Sequence, residues 1–160
     1  MRIGLGFDIH PLAAQRKLML GGVEIPYHLG LLGHSDADVM IHALCDALLG
    51  AIGKGDIGEH FPDTDMRFKD IASTHLLQAV LDLVRAEKYR IGNCDFAIIA
   101  NQPRLSPYKE EIQQSLARAL KVEKSQVNVK ATTSNGVPLF GSGIHDGIAA
   151  LSVVLLEKES

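Results

Sequence analysis

The chain has 160 residues, with 16 Lys and Arg against 19 Asp and Glu, a net charge of −3 with histidine neutral, and 46% apolar residues. That length suits one domain, able to bury roughly two-thirds of the surface its unfolded chain exposes, so residues 1–160 read as a single unit. With 15 Gly, 6 Pro and no block of Lys or Arg, the balance excludes disorder, fibrous repeats and a nucleic-acid footprint, while scattered cations remain free to meet a small anionic ligand.

Residues 2–10 alternate, with Ile3, Leu5, Phe7 and Ile9 on one face and Gly4, Gly6, Asp8 and His10 on the other, which predicts a strand. LMLGGVEI (18–25) reads as two short strands about a turn, and GLLGHS after it as loop. A helix is expected from Asp36 to about Ile52, opened by Ser35 and Asp38 in a near capping box and stopped by Gly53. GKGDIGEHFPDTD (53–65) has no hydrophobic period and reads as a long loop of the kind that carries function. Leu76, Leu77, Val80, Leu81 and Val84 form one stripe of a second helix at about 73–87. A strand follows at 94–100. Pro107 opens a third helix that turns Ile112, Leu116 and Leu120 inward. VNVKAT (127–132) reads as a strand, TSNGVPLFGSGIHDG as a Gly-rich loop and 148–157 as a final buried strand. The order predicts an α/β or α+β sandwich, one mixed sheet with helices on one face.

Cys45 and Cys94 form no CxxC pair and are expected to be reduced core residues. No apolar run approaches the roughly 20 residues of a membrane span. MRIGLGFDIH carries polar groups where a signal peptide needs an apolar core, so the expected compartment is the cytoplasm, with no membrane partner.

Asp8 and His10, two apart in a strand, project from one face and can meet a single ion. His42 lies in the apolar run VMIHALCDALL, flanked at four residues by Asp38 and Asp46. A ligating His usually gives its second ring N–H to a carboxylate, a role open to either Asp, although a water-facing helix flank has the same pattern. If first strand and first helix pack together, Asp8, His10 and His42 make an Asp-His-His site with an open fourth position, as a catalytic Zn²⁺ or similar divalent ion requires. In GHSDAD (33–38), Ser35 and Asp36 are expected at a helix N-terminus that attracts anions, with His34 beside it to donate to phosphate. A plain cap and a loop histidine would look the same. Asp56, Asp63 and Asp65 can accept from sugar hydroxyls or stand solvated. Lys130, Thr132, Thr133 and Ser134 at a strand end can hold a diphosphate or be ordinary strand polarity.

FDIH, GHSDADV with His42 following, GDIGEHFPDTD and NVKATT, in that order, resemble the 2-C-methyl-D-erythritol 2,4-cyclodiphosphate synthases of the non-mevalonate isoprenoid pathway. The likeness extends over essentially the whole chain, through GGVEIPY, FAIIANQP and DGIA. It implies a homotrimer whose sheets line the central axis, with active sites at subunit boundaries. It implies a cytidine diphosphate substrate, 4-diphosphocytidyl-2-C-methyl-D-erythritol 2-phosphate, cyclised by a phosphorus–oxygen lyase with release of CMP. The family's zinc ligands fall on Asp8, His10 and His42, and a second ion, Mg²⁺ or Mn²⁺, accompanies the diphosphate.

By the same resemblance His34 and Thr133 are catalytic and Ser35 helps hold phosphate. Asp8, Ile9 and His10, then Asp56, Ile57 and Gly58, match substrate-contacting segments. Phe61, Pro62, Asp63, Thr64 and Asp65 match the segment meeting ribose and erythritol hydroxyls. From a neighbouring subunit come Ala100, Asn101, Gln102, Pro103, Arg104, Leu105 and Ser106, and with them Thr132, Thr133, Ser134 and Asn135. One stretch departs. Asn135 stands where the family has a Glu that ligates the second ion, no carboxylate occurs between Glu123 and Asp146, and Arg118 is the last arginine. The Gly-rich loop is also somewhat longer than the family's. Two other readings compete: a zinc-dependent phosphoesterase acting on a small diphosphate, and a non-catalytic trimeric module that binds a nucleotide or isoprenoid.

Overall fold

A computed structural model describes residues 1–137 and 146–159. Its centre is a five-stranded sheet in the order β4-β1-β7-β5-β6, built from β1 (Arg2–Ala13), β4 (Gly30–Leu31), β5 (Tyr89–Ala100), β6 (Val127–Thr132) and β7 (Gly147–Lys158). Among the described residues only β5 and β6 run parallel; β7 is antiparallel to both β1 and β5. Leu18–Leu20 (β2) and Val23–Ile25 (β3) form a separate hairpin, turned by Gly21 and Gly22 at positive φ as a two-residue loop requires. The expected strand at 94–100 starts five residues earlier, with a register shift between Ile91 and Asn93. The stretch expected to be all loop at 30–35 supplies β4, which pairs with the extended end of β1.

Four α-helices accompany the strands among the described residues: α1 (Val39–Ile52), α2 (Ile57–His60), α3 (Ser73–Ala86) and α4 (Lys109–Leu120). Helix α1 begins three residues later than Asp36, because Ala37 takes a left-handed φ of 56° and Asp38, rather than Ser35, is the cap. Gly53 ends it at φ 71°, as read from the sequence. The 53–65 segment is not all loop, since the Asp56 carboxylate caps the single turn of α2 at Glu59 N.

The alternation in β1 holds, but the glycine face is the covered one. Ile3, Leu5 and Phe7 are 72%, 65% and 52% exposed, and Val153 of β7 joins them on the open side. Opposite, a Cβ on Gly4 would lie 1.7 Å from the Ala47 carbonyl oxygen, and one on Gly6 would lie 1.8 Å from that of Ala43. Glycine is required there, because α1 lies directly on the strand backbone. This apposition brings His42 of α1 over Asp8 and His10 of β1. Cys45 and Cys94 are buried and unpaired; burial pushes the Cys94 thiol up to about 12 and the Cys45 thiol up as well. Among the described residues no helix is long and apolar enough to cross a membrane.

Candidate active site

Asp8 Oδ2, His10 Nε2 and His42 Nδ1 converge on one point. The carboxylate oxygen is 2.9 Å from His10 Nε2 and 3.0 Å from His42 Nδ1, and the two nitrogens are 3.2 Å apart. Donors about 2.0–2.1 Å from one tetrahedral ion stand roughly 3.3 Å from each other, so this triangle is close to the size such an ion needs.

The proton count agrees. His10 Nδ1 lies 2.9 Å from the Leu32 carbonyl, which only accepts, so Nδ1 carries the proton and Nε2 presents a lone pair. His42 Nε2 faces the Ser73 hydroxyl at 2.9 Å and that of Ser35 at 3.0 Å, leaving Nδ1 turned towards the carboxylate. Three acceptors crowded together are stabilised by a divalent cation, or in its absence by a proton. Burial raises the Asp8 pKa, but hydrogen bonds to His10 and His42 and their charge outweigh it and hold the carboxyl well below the usual range. Burial likewise works against a charged His10, yet the Asp8 hydrogen bond and charge carry its pKa above the ordinary value.

The triad forms one wall of a cavity of about 230 Å³ whose other walls include His34, Ser35, Ile57, Gly58, Phe61 and Asp63. His34 Nε2 donates to the Asp65 carbonyl at 3.2 Å, linking the 33–36 loop to the 61–68 segment. Arg16 grips the first of these from below, donating to the carbonyls of Leu31, Gly33 and Ser35. The Asp65 carboxylate is spent on Arg67, whose hydrogen bonds pull its pKa down to about 2.

A second cavity, about 380 Å³, is lined by Ala100, Asn101, Gln102, Arg104, Leu105 and Ser106 together with Thr132 and Thr133. Asn101 Oδ1 accepts from the Ser134 amide and hydroxyl at 3.0 and 3.1 Å, tying the two strand ends together. The Thr133 hydroxyl donates to Asn135 Oδ1 at 3.1 Å, and Asn135 sits at φ 52°. Pro103 follows a cis bond from Gln102. Thr133 is thus grouped with the second cavity, whereas His34 lines the first.

A family model described as the YgbB family matches residues 1–157. The chain belongs to the YgbB family. This YgbB chain is similar to the 2-C-methyl-D-erythritol 2,4-cyclodiphosphate synthase of Geobacillus kaustophilus, 59% identical over 157 residues and 98% of both lengths. It superposes on the bifunctional IspDF of Campylobacter jejuni with a TM-score of 0.91 at 42% identity, over 98% of this chain and 42% of that one. A solved 2C-methyl-D-erythritol-2,4-cyclodiphosphate synthase in a CDP-bound form matches with a TM-score of 0.89 at 36% identity, over 98% of this chain and all of that one.

Several expectations for this YgbB chain need correction. Neither Asp38 nor Asp46 reaches the His42 ring. The fully buried Asp38 carboxylate accepts from the amides of Met40 and Ile41 and, at 2.9 and 2.7 Å, from Gly21 and Gly22. Those bonds pin the hairpin to α1 and occupy the N-terminal amides that were expected to attract an anion. Asp46 accepts from Ile57 N at 2.7 Å and so anchors α2. The Lys130 ammonium pairs with Asp95 of the adjacent strand β5. The longer Gly-rich loop lies mostly outside the described residues. Ser73 and Arg16 carry no local signature in the sequence, because they act on partners 31 and 19 positions away.

Proposed function

We propose that this chain is a 2-C-methyl-D-erythritol 2,4-cyclodiphosphate synthase. It converts 4-diphosphocytidyl-2-C-methyl-D-erythritol 2-phosphate to the 2,4-cyclodiphosphate and CMP, a step in isoprenoid precursor synthesis. An oxygen of the 2-phosphate forms a bond to the β-phosphorus; the bond from that phosphorus to the bridging oxygen breaks, and CMP leaves with the electron pair. The single observation that carries the reading is the convergence of Asp8, His10 and His42 at one cavity in a YgbB-family chain.

Those three residues would hold a divalent ion, Zn²⁺ by their donor types, and such an ion supplies charge neutralisation and orientation for a phosphate. His34 and Ser35 donate to phosphate oxygens from the adjoining wall. Asp56, Ile57, Gly58 and the segment Phe61 to Asp65 receive the erythritol and ribose hydroxyls. Ala100 to Ser106 and Thr132 to Asn135 receive cytosine and diphosphate, with Thr133 supporting the charge that develops on transfer. No covalent intermediate is needed, so positioning and charge carry the rate. With the neutral Asn135 in place, a second ion, Mg²⁺ or Mn²⁺, is held mainly by the substrate's diphosphate.

The active enzyme is a homotrimer. Two observations support this: the uncovered strip Ile3, Leu5, Phe7 and Val153, and the division of substrate segments between two separate cavities of one subunit. The two buried free thiols suit a reducing cytoplasm. Phosphorus NMR of the product tests the reading: a ring diphosphate is expected, whereas free phosphate esters would indicate a phosphoesterase and unchanged substrate a binding module.

A further inference from the structure

We infer that Ser73 and Asp36 form a positioning relay that fixes the orientation and proton of His42, presenting its Nδ1 lone pair to the ion. This deepens the metal-site reading above and rests on it. Ser73 opens α3 and is fully buried, while Asp36 belongs to the 33–38 loop; they are 37 positions apart. The Asp36 carboxylate receives both the Ser73 hydroxyl, in a very short bond, and the Ser73 amide at 3.1 Å. Two donors from one residue hold that serine in a single rotamer.

The direction of the hydroxyl follows. A carboxylate only accepts, so the Ser73 proton points at Asp36 and its oxygen offers lone pairs to His42 Nε2 at 2.9 Å. A second lone pair on Nε2 at that distance would be repulsive; Nε2 therefore carries the proton, and Nδ1 is left to coordinate. The Ser35 hydroxyl is 3.0 Å from the same nitrogen, and among the described residues no carboxylate hydrogen-bonds to that hydroxyl to set its direction. His10 reaches the same result through the Leu32 carbonyl. Each ligating ring is thus set by an acceptor behind it, the arrangement that raises metal affinity about 10–100-fold in such sites.

The test uses the zinc-loaded protein and has two readouts besides turnover: zinc affinity by chelator competition, and exchange of the His42 Nε2 proton by ¹H–¹⁵N NMR. Ser73→Ala is expected to weaken zinc at least tenfold and to speed exchange of that proton; Ser73→Thr restores both. Asp36→Ala frees the hydroxyl to turn and weakens zinc likewise, and the double variant is no worse than the weaker single one. Thermal melting checks that each variant folds. Wild-type affinity and exchange in a folded Ser73→Ala protein, or effects of the two substitutions that simply add, would overturn the relay. Failure of the unaltered protein to bind zinc at all would instead overturn the metal site.

Discussion

Gly6→Ala tests how the fold makes the site. The new Cβ would stand 1.8 Å from the Ala43 carbonyl oxygen and 2.8 Å from the Ala47 amide nitrogen, whereas real Cβ contacts do not fall below 3.0 Å. Helix α1 must therefore withdraw by more than about 1 Å, and both atoms are backbone, so no side chain can turn aside. Overpacking of this kind costs about 1–3 kcal/mol, and a backbone clash belongs at the upper end. In a chain of this length that lowers Tm by roughly 6–12 °C. His42 sits one residue before Ala43, so the same motion opens the 3.0 Å gap to Asp8 and weakens metal binding. Melting in the presence of a chelator separates the packing effect from the metal effect, and zinc competition measures the latter. Gly50→Ala is the control: nothing lies within 4 Å of its Cβ, and it should stabilise α1 by about 0.5–1 kcal/mol. A Gly6→Ala protein that melts with wild type and binds zinc equally well would refute the reasoning.

In metal-free protein, NMR titration should place the His10 midpoint above the ordinary histidine value, because Asp8 stabilises the imidazolium. The Asp8–His10 pair then stabilises the fold fully only between about pH 4 and pH 6.5; that contribution is lost as pH rises through the raised His10 pKa, and lost again as pH falls from about 4 through the depressed Asp8 pKa. A His10 midpoint at or below the ordinary value contradicts this, and zinc binding should weaken in acid as the same proton competes. Asn135→Glu should lower the Mg²⁺ concentration that half-activates CMP release, despite about 1 kcal/mol of strain from a left-handed φ of 52°; an unchanged half-activation point ends the second-ion argument. Sedimentation should give three times the 17.3 kDa chain mass, and Leu5→Asp, which puts a charge on the open face, should shift it towards one chain. A wild-type monomer would defeat the trimer.

The metal triad was legible because each of its parts has a local signature. Asp8 and His10 follow the two-residue period of a strand, and His42 interrupts an apolar helix that the chain brings back onto that strand. The apolar stripe of α3 and the Gly21–Gly22 turn were readable for the same reason. Less local features were not. The alternation of β1 alone did not say which face α1 would cover; only the pairing of Asp8 and His10 with His42 pointed to the glycine face, where α1 lies directly on the strand backbone. Asp38 looked like a partner for His42 by spacing, yet cap geometry turned it inward to the hairpin amides. Ser73, Asp36 and Arg16 act through contacts that only the tertiary structure creates, and Lys130 found its counter-ion on the adjacent strand.

The most direct measurement is metal content and CMP release in the same preparations of wild type and His42→Ala. Wild type should hold one zinc per chain at the Asp8–His10–His42 point and release CMP with cyclic product. His42→Ala should remain folded, lose that zinc and lose nearly all cyclisation. Full activity from a metal-free His42→Ala protein would contradict the account.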